Sequence, residues 1–330
     1  MNPSENAPSP APWHDGERRL QTLYGVADRM ETIGRRVIRN AMPDQHREFF
    51  SALPFVVVGS VDDEGRPWAT LLEGPPGFVR SPDARRLEVA QRLSDDDPAG
   101  MGFVEGAAVG LLGIELSTRR RNRMNGRLRD LRADGFAVEV EQSFGNCPQY
   151  IQRRETPGAR AAERQERRPA ERLASLDAKA RALIETVDTF FVATSVDPDA
   201  DPARRSVDVS HRGGRPGFVR IDGDRLTIPD FPGNLHFNTL GNLVLNPRAG
   251  LAFVDFETGD LLQVSGRTEL VLAGPEVERF AGAERLWRLE VEASIRRPAA
   301  LGLRLHLVEM SKQSLATGSW EPLPQERSVP

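Results

Sequence analysis

Residues 204–246 read RRSVDVSHRGGRPGFVRIDGDRLTIPDFPGNLHFNTLGNLVLN. Alternation of apolar and polar residues predicts a strand over Arg204–Val209, a polar Gly-rich turn over Ser210–Gly214 and a second strand over Gly217–Ile221. A tight Asp222-Gly223-Asp224 turn and a third strand ending at Ile228 follow. The loop Pro229–Asn234 then opens a helix-like run with Phe237, Leu240, Leu243 and Val244 spaced for one face. A Pro232-Gly233-Asn234 loop before a helix offers free backbone N–H groups and the positive end of the helix dipole, both suited to an anion. Arg204 and Arg205 open the strand that leads there. A phosphate-bearing ligand lying across a small sheet explains this pattern; so does an ordinary β-meander with a capped helix.

Outward from this stretch, the chain repeats itself. Pro76-Gly77-Phe78-Val79-Arg80 recurs at 216–220, Gly110-Leu111 at 250–251 and Gly126-Arg127 at 266–267, a common offset of 140 residues. Ser60-Val61-Asp62 matches Ser195-Val196-Asp197 at a shorter offset, which places a small insertion near 198–203. Matches at one offset across similar strand patterns predict two copies of one domain. The reading is a disordered lead over 1–14, a first copy over 15–151, a solvated linker over 152–174, a second copy over 175–320 and a tail over 321–330. In the first copy one long helix is expected from Asp15 until Pro43 breaks it, then a short helix over Asp44–Leu53 and strands at 55–61, 67–73, 77–80, 85–90, 107–116, 119–129 and 135–142. Ser175 is expected to cap the first helix of the second copy.

Arg-x-Val followed by alternation, turn, strand, loop, helix and Leu243-x-x-Asn246-Pro247-x-Ala249 resembles the pyridoxamine 5′-phosphate oxidase-like family of FMN-binding split barrels. The phrases DVSHRGGRPGF (208–218), IPDFPGN (228–234), FNTLGN (237–242) and DFETGDLLQVSGR (255–267) are similar to a branch with two tandem copies, often fused to ferredoxin-reductase modules. The resemblance implies a mainly β (α+β) chain of two six-stranded antiparallel split barrels, packed as an intrachain pseudo-dimer with peripheral helices. It also implies FMN between the barrels, held by Arg204, Arg205, Ser206, Asp230, Gly233, Asn234 and Gln263. Such barrels pair as dimers, so a tandem chain supplies the pairing within itself, and a further homodimer is compatible with it.

The copies are not equivalent. At the offset of 140, Asp208–Arg212 falls against Trp68–Leu72, and the loop at 232–234 against Arg92-Leu93-Ser94, followed by Asp95-Asp96-Asp97. Three carboxylates disfavour a second anion there, so the second copy is the binding half. In Arg119–Arg129 the residues Arg119, Arg121, Arg123, Asn125, Arg127 and Arg129 share one face of an unbroken strand. This row is either an exposed stripe or, in the sense the resemblance implies, a source of Arg121, Arg123 and Asn125 for the flavin phosphate across the pseudo-dimer. Ser210 and His211 are the candidate catalytic residues. His211 could hydrogen-bond a flavin edge or give a proton to substrate, and could equally be a surface turn histidine.

Composition narrows the function classes. The chain has 330 residues, net charge −4 and no bilayer-length apolar run, so neither nucleic acid nor membrane is an expected partner. Its single cysteine, Cys147, excludes an internal disulfide, a Cys-based iron–sulfur centre and a multi-cysteine zinc site, and fits a cytoplasmic home. No His pair has metal-ligand spacing, and no dinucleotide fingerprint is present. Only Lys179 and Lys312 are lysines among 44 basic residues, so a phosphate clamp must use arginine or backbone N–H groups. The expected activity is an FMN-dependent oxidoreductase for a small polar or anionic substrate, with NAD(P)H or a partner reductase as electron donor. The alternative is a non-catalytic flavin- or haem-binding carrier or sensor.

Overall fold

The computed structural model describes residues 11–156, 168–197, 201 and 204–320. Most of the expected lead (1–10), the middle of the expected linker (157–167), most of the expected insertion near 198–203 and the tail (321–330) therefore lie outside the described residues.

Three helices come first: α1 (Asp15–Leu23), α2 (Ala27–Val37) and α3 (Asp44–Ala52). The single long helix expected before Pro43 is two, because Gly25 takes φ 66° between them, a left-handed turn that glycine adopts without strain. The first copy then runs through β1 (Phe55–Val61), β2 (Pro67–Glu73), β3 (Val79–Asp83), β4 (Arg86–Val89), β5 (Ala108–Glu115), β6 (Arg120–Arg132) and β7 (Gly135–Gly145). Short strands β8 (Arg153–Glu155) and β9 (Glu171–Leu173) lead to α4 (Ala178–Thr186), capped by Asp177 and not by Ser175. The second copy runs through β10 (Thr189–Val196), β11 (Ser206–Gly213), β12 (Arg220–Asp222), β13 (Arg225–Asp230), α5 (Asn238–Leu245), β14 (Arg248–Val254), β15 (Leu261–Val271) and β16 (Arg285–Arg297). A last strand, β17 (His306–Glu309), pairs with β8.

The sheet orders are β2-β1-β5-β6-β7-β4-β3 and β11-β10-β14-β15-β16-β13-β12, the same path strand for strand. Each copy is thus a seven-stranded antiparallel split barrel, with β9 added beside β16; the expected count of six omitted a strand. Both also break register at the same place, Asn125/Gly126 and Ser265/Gly266, 140 residues apart. The ladder fixes the offset of the first strand as well: Gly59 faces Gly110 as Ala193 faces Gly250. Ser60 therefore corresponds to Thr194, one residue from the match that the bare sequence suggested, and in a strand one residue is a change of face.

The barrels meet through β1, β2 and β5 of one and β10, β11 and β14 of the other. A Cβ on Gly110 would lie 2.6 Å from the Val207 carbonyl oxygen, and one on Gly250 would lie 2.1 Å from that of Pro67. These two backbone crossings are equivalent at the offset of 140, so the contact is a pseudo-twofold. Its core is shared: Val57, Ala69, Leu112 and Ile114 pack with their counterparts Phe191, Val209, Ala252 and Val254. Each barrel also has its own apolar interior.

The copies exchange their ends. Leu20, Tyr24 and Val26 join the interior of the second barrel, and α1 crosses α5 where Gly16 and Gly241 allow contact. The residues from 152 that were read as linker begin as structure: Gln152 donates to Ser314 Oγ (2.9 Å) and β8 holds β17. No helix among the described residues is long and apolar enough to cross a membrane.

Candidate functional site

A cleft opens where β6 and the segment after β7, both from the first copy, face β11, the 230–238 loop and the start of α5 of the second. It encloses about 830 Å³ of atom-free space, part of it open to solvent. β11 continues to Gly213, so Ser210–Gly214 is not the expected turn. It pairs residue for residue with β10, from Ser206 opposite Val196 to Gly213 opposite Thr189. Alternation then puts Asp208, Ser210 and Arg212 on one face of β11 and Val207, Val209 and His211 on the other; Ser210, His211 and Arg212 all border the cleft.

Four arginines and one aspartate line this cleft. Arg123 is 3% exposed; it pairs with Asp208 (3.1 Å), donates to Ser210 Oγ and lies over the Phe144 ring. Asn125 adds a second hydrogen bond to Asp208 (2.7 Å). Arg285 is taken by Asp230 (2.9 Å) and stacks over Tyr24 and Phe237. Arg121 and Arg212 are less well served. Arg121 donates to the Cys147 carbonyl (2.8 Å), and burial together with Arg123 and Arg212 pushes its pKa down to about 9. Arg212 stands 3.7 Å from Asp230, its Nε has no partner, and burial draws its pKa down too. Guanidinium groups whose charge is disfavoured in this way call for an anion between them.

The loop approaches through two left-handed residues, Leu235 (φ 62°) and Phe237 (φ 60°), costly for side chains of this size and therefore held by their surroundings. The helix opens at Asn238, later than the Pro232–Asn234 loop suggested. Its N-cap is Phe237, which supplies no side-chain cap, so its first-turn N–H groups are left for a ligand. Asn238 and Thr239 wall the cleft there, and Thr239 donates to Ser210 Oγ (3.1 Å). At the other side Tyr150 of the first copy stacks on Phe231 of the second, centroids 5.1 Å apart.

Among the expected site residues, Arg121, Arg123, Ser210, His211, Asp230, Gly233 and Asn234 come together around this cleft, with Asn125 behind it. Four do not join them. Arg205 grips Asp197 with two hydrogen bonds (2.7 and 2.8 Å), and Arg204 and Ser206 lie with it at the far start of β11. Gln263 is fully buried in the counterpart cleft, donating to the Ala69 carbonyl (2.9 Å) and Asp97 (3.1 Å). The arginine row is divided as well. Arg119 precedes β6 in a left-handed turn, while Arg127 and Arg129 are neutralised by Glu141 and Glu139 of β7. His211 is no surface residue: it is 2% exposed, both ring nitrogens lack partners, and burial with Arg121, Arg212 and Arg154 keeps it neutral. Arg212, expected beside Ser210 and His211 from the sequence, is in the cleft wall; Arg285, Asn146 and Tyr150 escaped sequence reasoning.

These groups fit a phosphate-bearing, planar ligand. Arg123, Arg212, Asn146 and His211, each with an unpartnered polar atom, and the start of the uncapped α5 all wall this one cleft. The chain's own carboxylates, Asp208 and Asp230, are already engaged.

The counterpart cleft of the first copy is closed. There the helix-capping position is Asp97, whose carboxylate accepts from Ala99 N (3.0 Å) at the start of the 3-10 turn Pro98–Gly102. Arg297 of β16, 5% exposed, donates to Asp97 (2.6 Å) and to Ser94. By ladder register Arg297 stands opposite Leu261 as Asn146 stands beside Arg121. The cleft that is open carries asparagine at that place.

A family model described as pyridoxamine 5′-phosphate oxidase matches the chain twice, over residues 42–169 and 176–313. No curated protein matches it. Among solved structures, HupZ from Group A Streptococcus is similar at 20% identity and a TM-score of 0.28, over 36% of this chain and 90% of that one. An FAD-binding protein from Mesorhizobium loti is similar at 16% identity and a TM-score of 0.28, over 39% of this chain and 97% of that one. Likeness at this level says nothing of what this chain binds. The two family matches each span one seven-stranded barrel and together cover most of the length, so the chain belongs to the pyridoxamine 5′-phosphate oxidase family, as two copies in one polypeptide.

Proposed function

We propose that the protein is an FMN-dependent oxidoreductase for a small polar or anionic substrate, with NADH, NADPH or a partner reductase as electron donor. The observation that carries this reading is the buried pair Arg121 and Arg212, whose charge burial disfavours, facing an uncapped helix N-terminus across a cleft in a family of flavin-binding barrels. Arg121 and Arg123 hold the phosphate from the first copy, and Gly233, Asn234, Asn238 and Thr239 from the second. FMN is favoured over FAD because the chain has no dinucleotide fingerprint. Flavin, once bound, supplies the hydride or electron chemistry. The residues position it: Ser210 and Arg212 present donors on the cleft face of β11, and Tyr150 with Phe231 shields one side from water. His211, held neutral, serves as a hydrogen-bond partner rather than a proton donor.

That last point also supports a second reading, a flavin-binding carrier without turnover. Ser210 is committed to Arg123 and Thr239, and His211 carries no ready proton. The visible spectrum of the purified protein, chromatography of heat-released cofactor and anaerobic titration with NADH and NADPH separate the readings. FMN that either nucleotide reduces supports the enzyme; FMN inert to both, and to a reductase, supports the carrier. Haem or no chromophore overturns both.

A further inference from the structure

Cys147 is the only cysteine in the chain, and the function proposed above leaves it unused. It sits in Asn146–Tyr150, directly after β7, where Asn146, Cys147, Gln149 and Tyr150 all wall the cleft. The segment is pinned: Arg121 Nε donates to the Cys147 carbonyl (2.8 Å), Asn234 Nδ2 donates to Asn146 Oδ1 (3.3 Å), and Tyr150 is left-handed (φ 62°). Cys147 is partly exposed, whereas the hydroxyl nucleophile of the same cleft, Ser210, is buried and engaged. The Arg121 guanidinium, tied to the Cys147 backbone, borders the same cleft. A separate observation marks the space beside it as a ligand site. Arg123 and His211 wall the same cleft, both more than nine-tenths buried, and Arg123 Nε and both His211 ring nitrogens have no partner.

We propose that Cys147 is a redox-sensitive thiol of this cleft, which exchanges with anionic small-molecule disulfides and, as the mixed disulfide, shuts the cleft to its anionic occupant. The proposal rests on the cleft being an anion site and requires no flavin for its chemistry. The thiol gives its proton to solvent, and its sulfur attacks one sulfur of the disulfide. The S–S bond breaks, its electron pair leaves with the other half as a thiolate, and the protein keeps the mixed disulfide. No second cysteine exists to resolve the adduct, so an external thiol must release it and the modification is reversible. The surplus guanidinium groups concentrate anionic disulfides at the mouth.

The test uses the full-length protein and two reagents, the dianionic bis(nitrobenzoate) disulfide and the neutral dipyridyl disulfide. At low salt the anionic reagent should react about tenfold faster relative to free cysteine than the neutral one, and salt should erase the advantage. Arg121→Gln should slow the anionic reagent alone; an unchanged rate with the neutral reagent shows that the fold and access survive. Inorganic phosphate should protect the thiol. The nitrobenzoate-labelled protein should lose phosphate and FMN binding and regain it with dithiothreitol, whereas in Cys147→Ser the same treatment should change nothing. Equal relative rates for both reagents, or labelled protein that still binds phosphate, overturns the proposal. A protein that never takes up FMN yet passes the rate, protection and phosphate arms refutes the flavin assignment and leaves this one standing.

Discussion

In the open cleft Arg121 and Arg123 of the first copy stand with Ser210 and Arg212 of the second; in the closed one the positions corresponding to these four are Leu261, Gln263, Thr70 and Leu72. The backbone path is the same, and so is the helix-capping position, yet Phe237 leaves its helix uncapped where Asp97 caps its own. Asp97 and Arg297 place an anion and a cation of the protein itself in the space a ligand would take. The comparison teaches that duplication gave this chain two chances at one site, and that the two differ in who supplies the counter-charge. In the closed cleft the polypeptide supplies it; in the open one Arg121 and Arg212 wait for it.

The largest expected effects come from breaking the ion pair at the centre of each cleft. Arg123→Met and Arg297→Met each strand a buried carboxylate, Asp208 or Asp97, and should each cost about 3–5 kcal/mol in denaturant unfolding. Their ligand phenotypes should part: Arg123→Met should lose bound flavin, and Arg297→Met should keep it per folded molecule. Equal loss in both would mean the clefts are not functionally distinct.

Glu17 sharpens the comparison from behind the open cleft. It is buried in α1 and accepts from Asn238 (2.5 Å); burial, with Asp208 nearby, raises its pKa to about 8. A carboxyl that binds its proton more tightly folded than unfolded favours the fold at low pH. That stability is fully present below about pH 4.5 and is lost as pH rises through about 8. Glu17→Gln should flatten this slope, with a difference on the order of 2–4 kcal/mol between the ends of the window, read by unfolding at stepped pH. Parallel pH profiles for variant and parent would place the ionised carboxylate in the native state.

Arg121→Ala should weaken FMN binding by roughly 1.5–3 kcal/mol while leaving unfolding stability unchanged or slightly raised, since it removes a charge the fold does not compensate. Titration by flavin fluorescence checks the first part, and a matching loss of stability would mean the arginine is structural. Arg205→Ala should do least. Its partly exposed pair with Asp197 is worth about 1 kcal/mol, and flavin content should not move. A fall in flavin would return Arg205 to the site.

Much of this was legible because duplication leaves its own ruler. The offset of 140 matched Gly126 with Gly266 and Gly110 with Gly250, which the structure then places at the two bulges and the two interface crossings, and alternation along Arg119–Arg129 brought out Arg121, Arg123 and Asn125. Alternation alone carried no knowledge of the neighbouring strand, whose Glu139 and Glu141 neutralise Arg129 and Arg127. Arg205 looked like a phosphate ligand because its partner Asp197 follows the neighbouring strand β10, and Gln263 because its cleft is the mirror of the right one. The role of α1, far from the second copy in sequence, depends on a chain crossing that no local pattern encodes. Arg297 shows the same limit: its place opposite Leu261 follows from a ladder register, and its counterpart Asn146 is offset by a bulge.

The central claim is that one of two equivalent clefts binds and the other is filled by the protein. Calorimetric titration of the cofactor-stripped full-length chain with FMN measures this directly, in the parent and in the Arg121→Ala and Arg297→Met variants. One FMN per chain, weakened by Arg121→Ala and untouched by Arg297→Met, is the predicted result. Two per chain, or a single site lost with Arg297 and indifferent to Arg121, would contradict it.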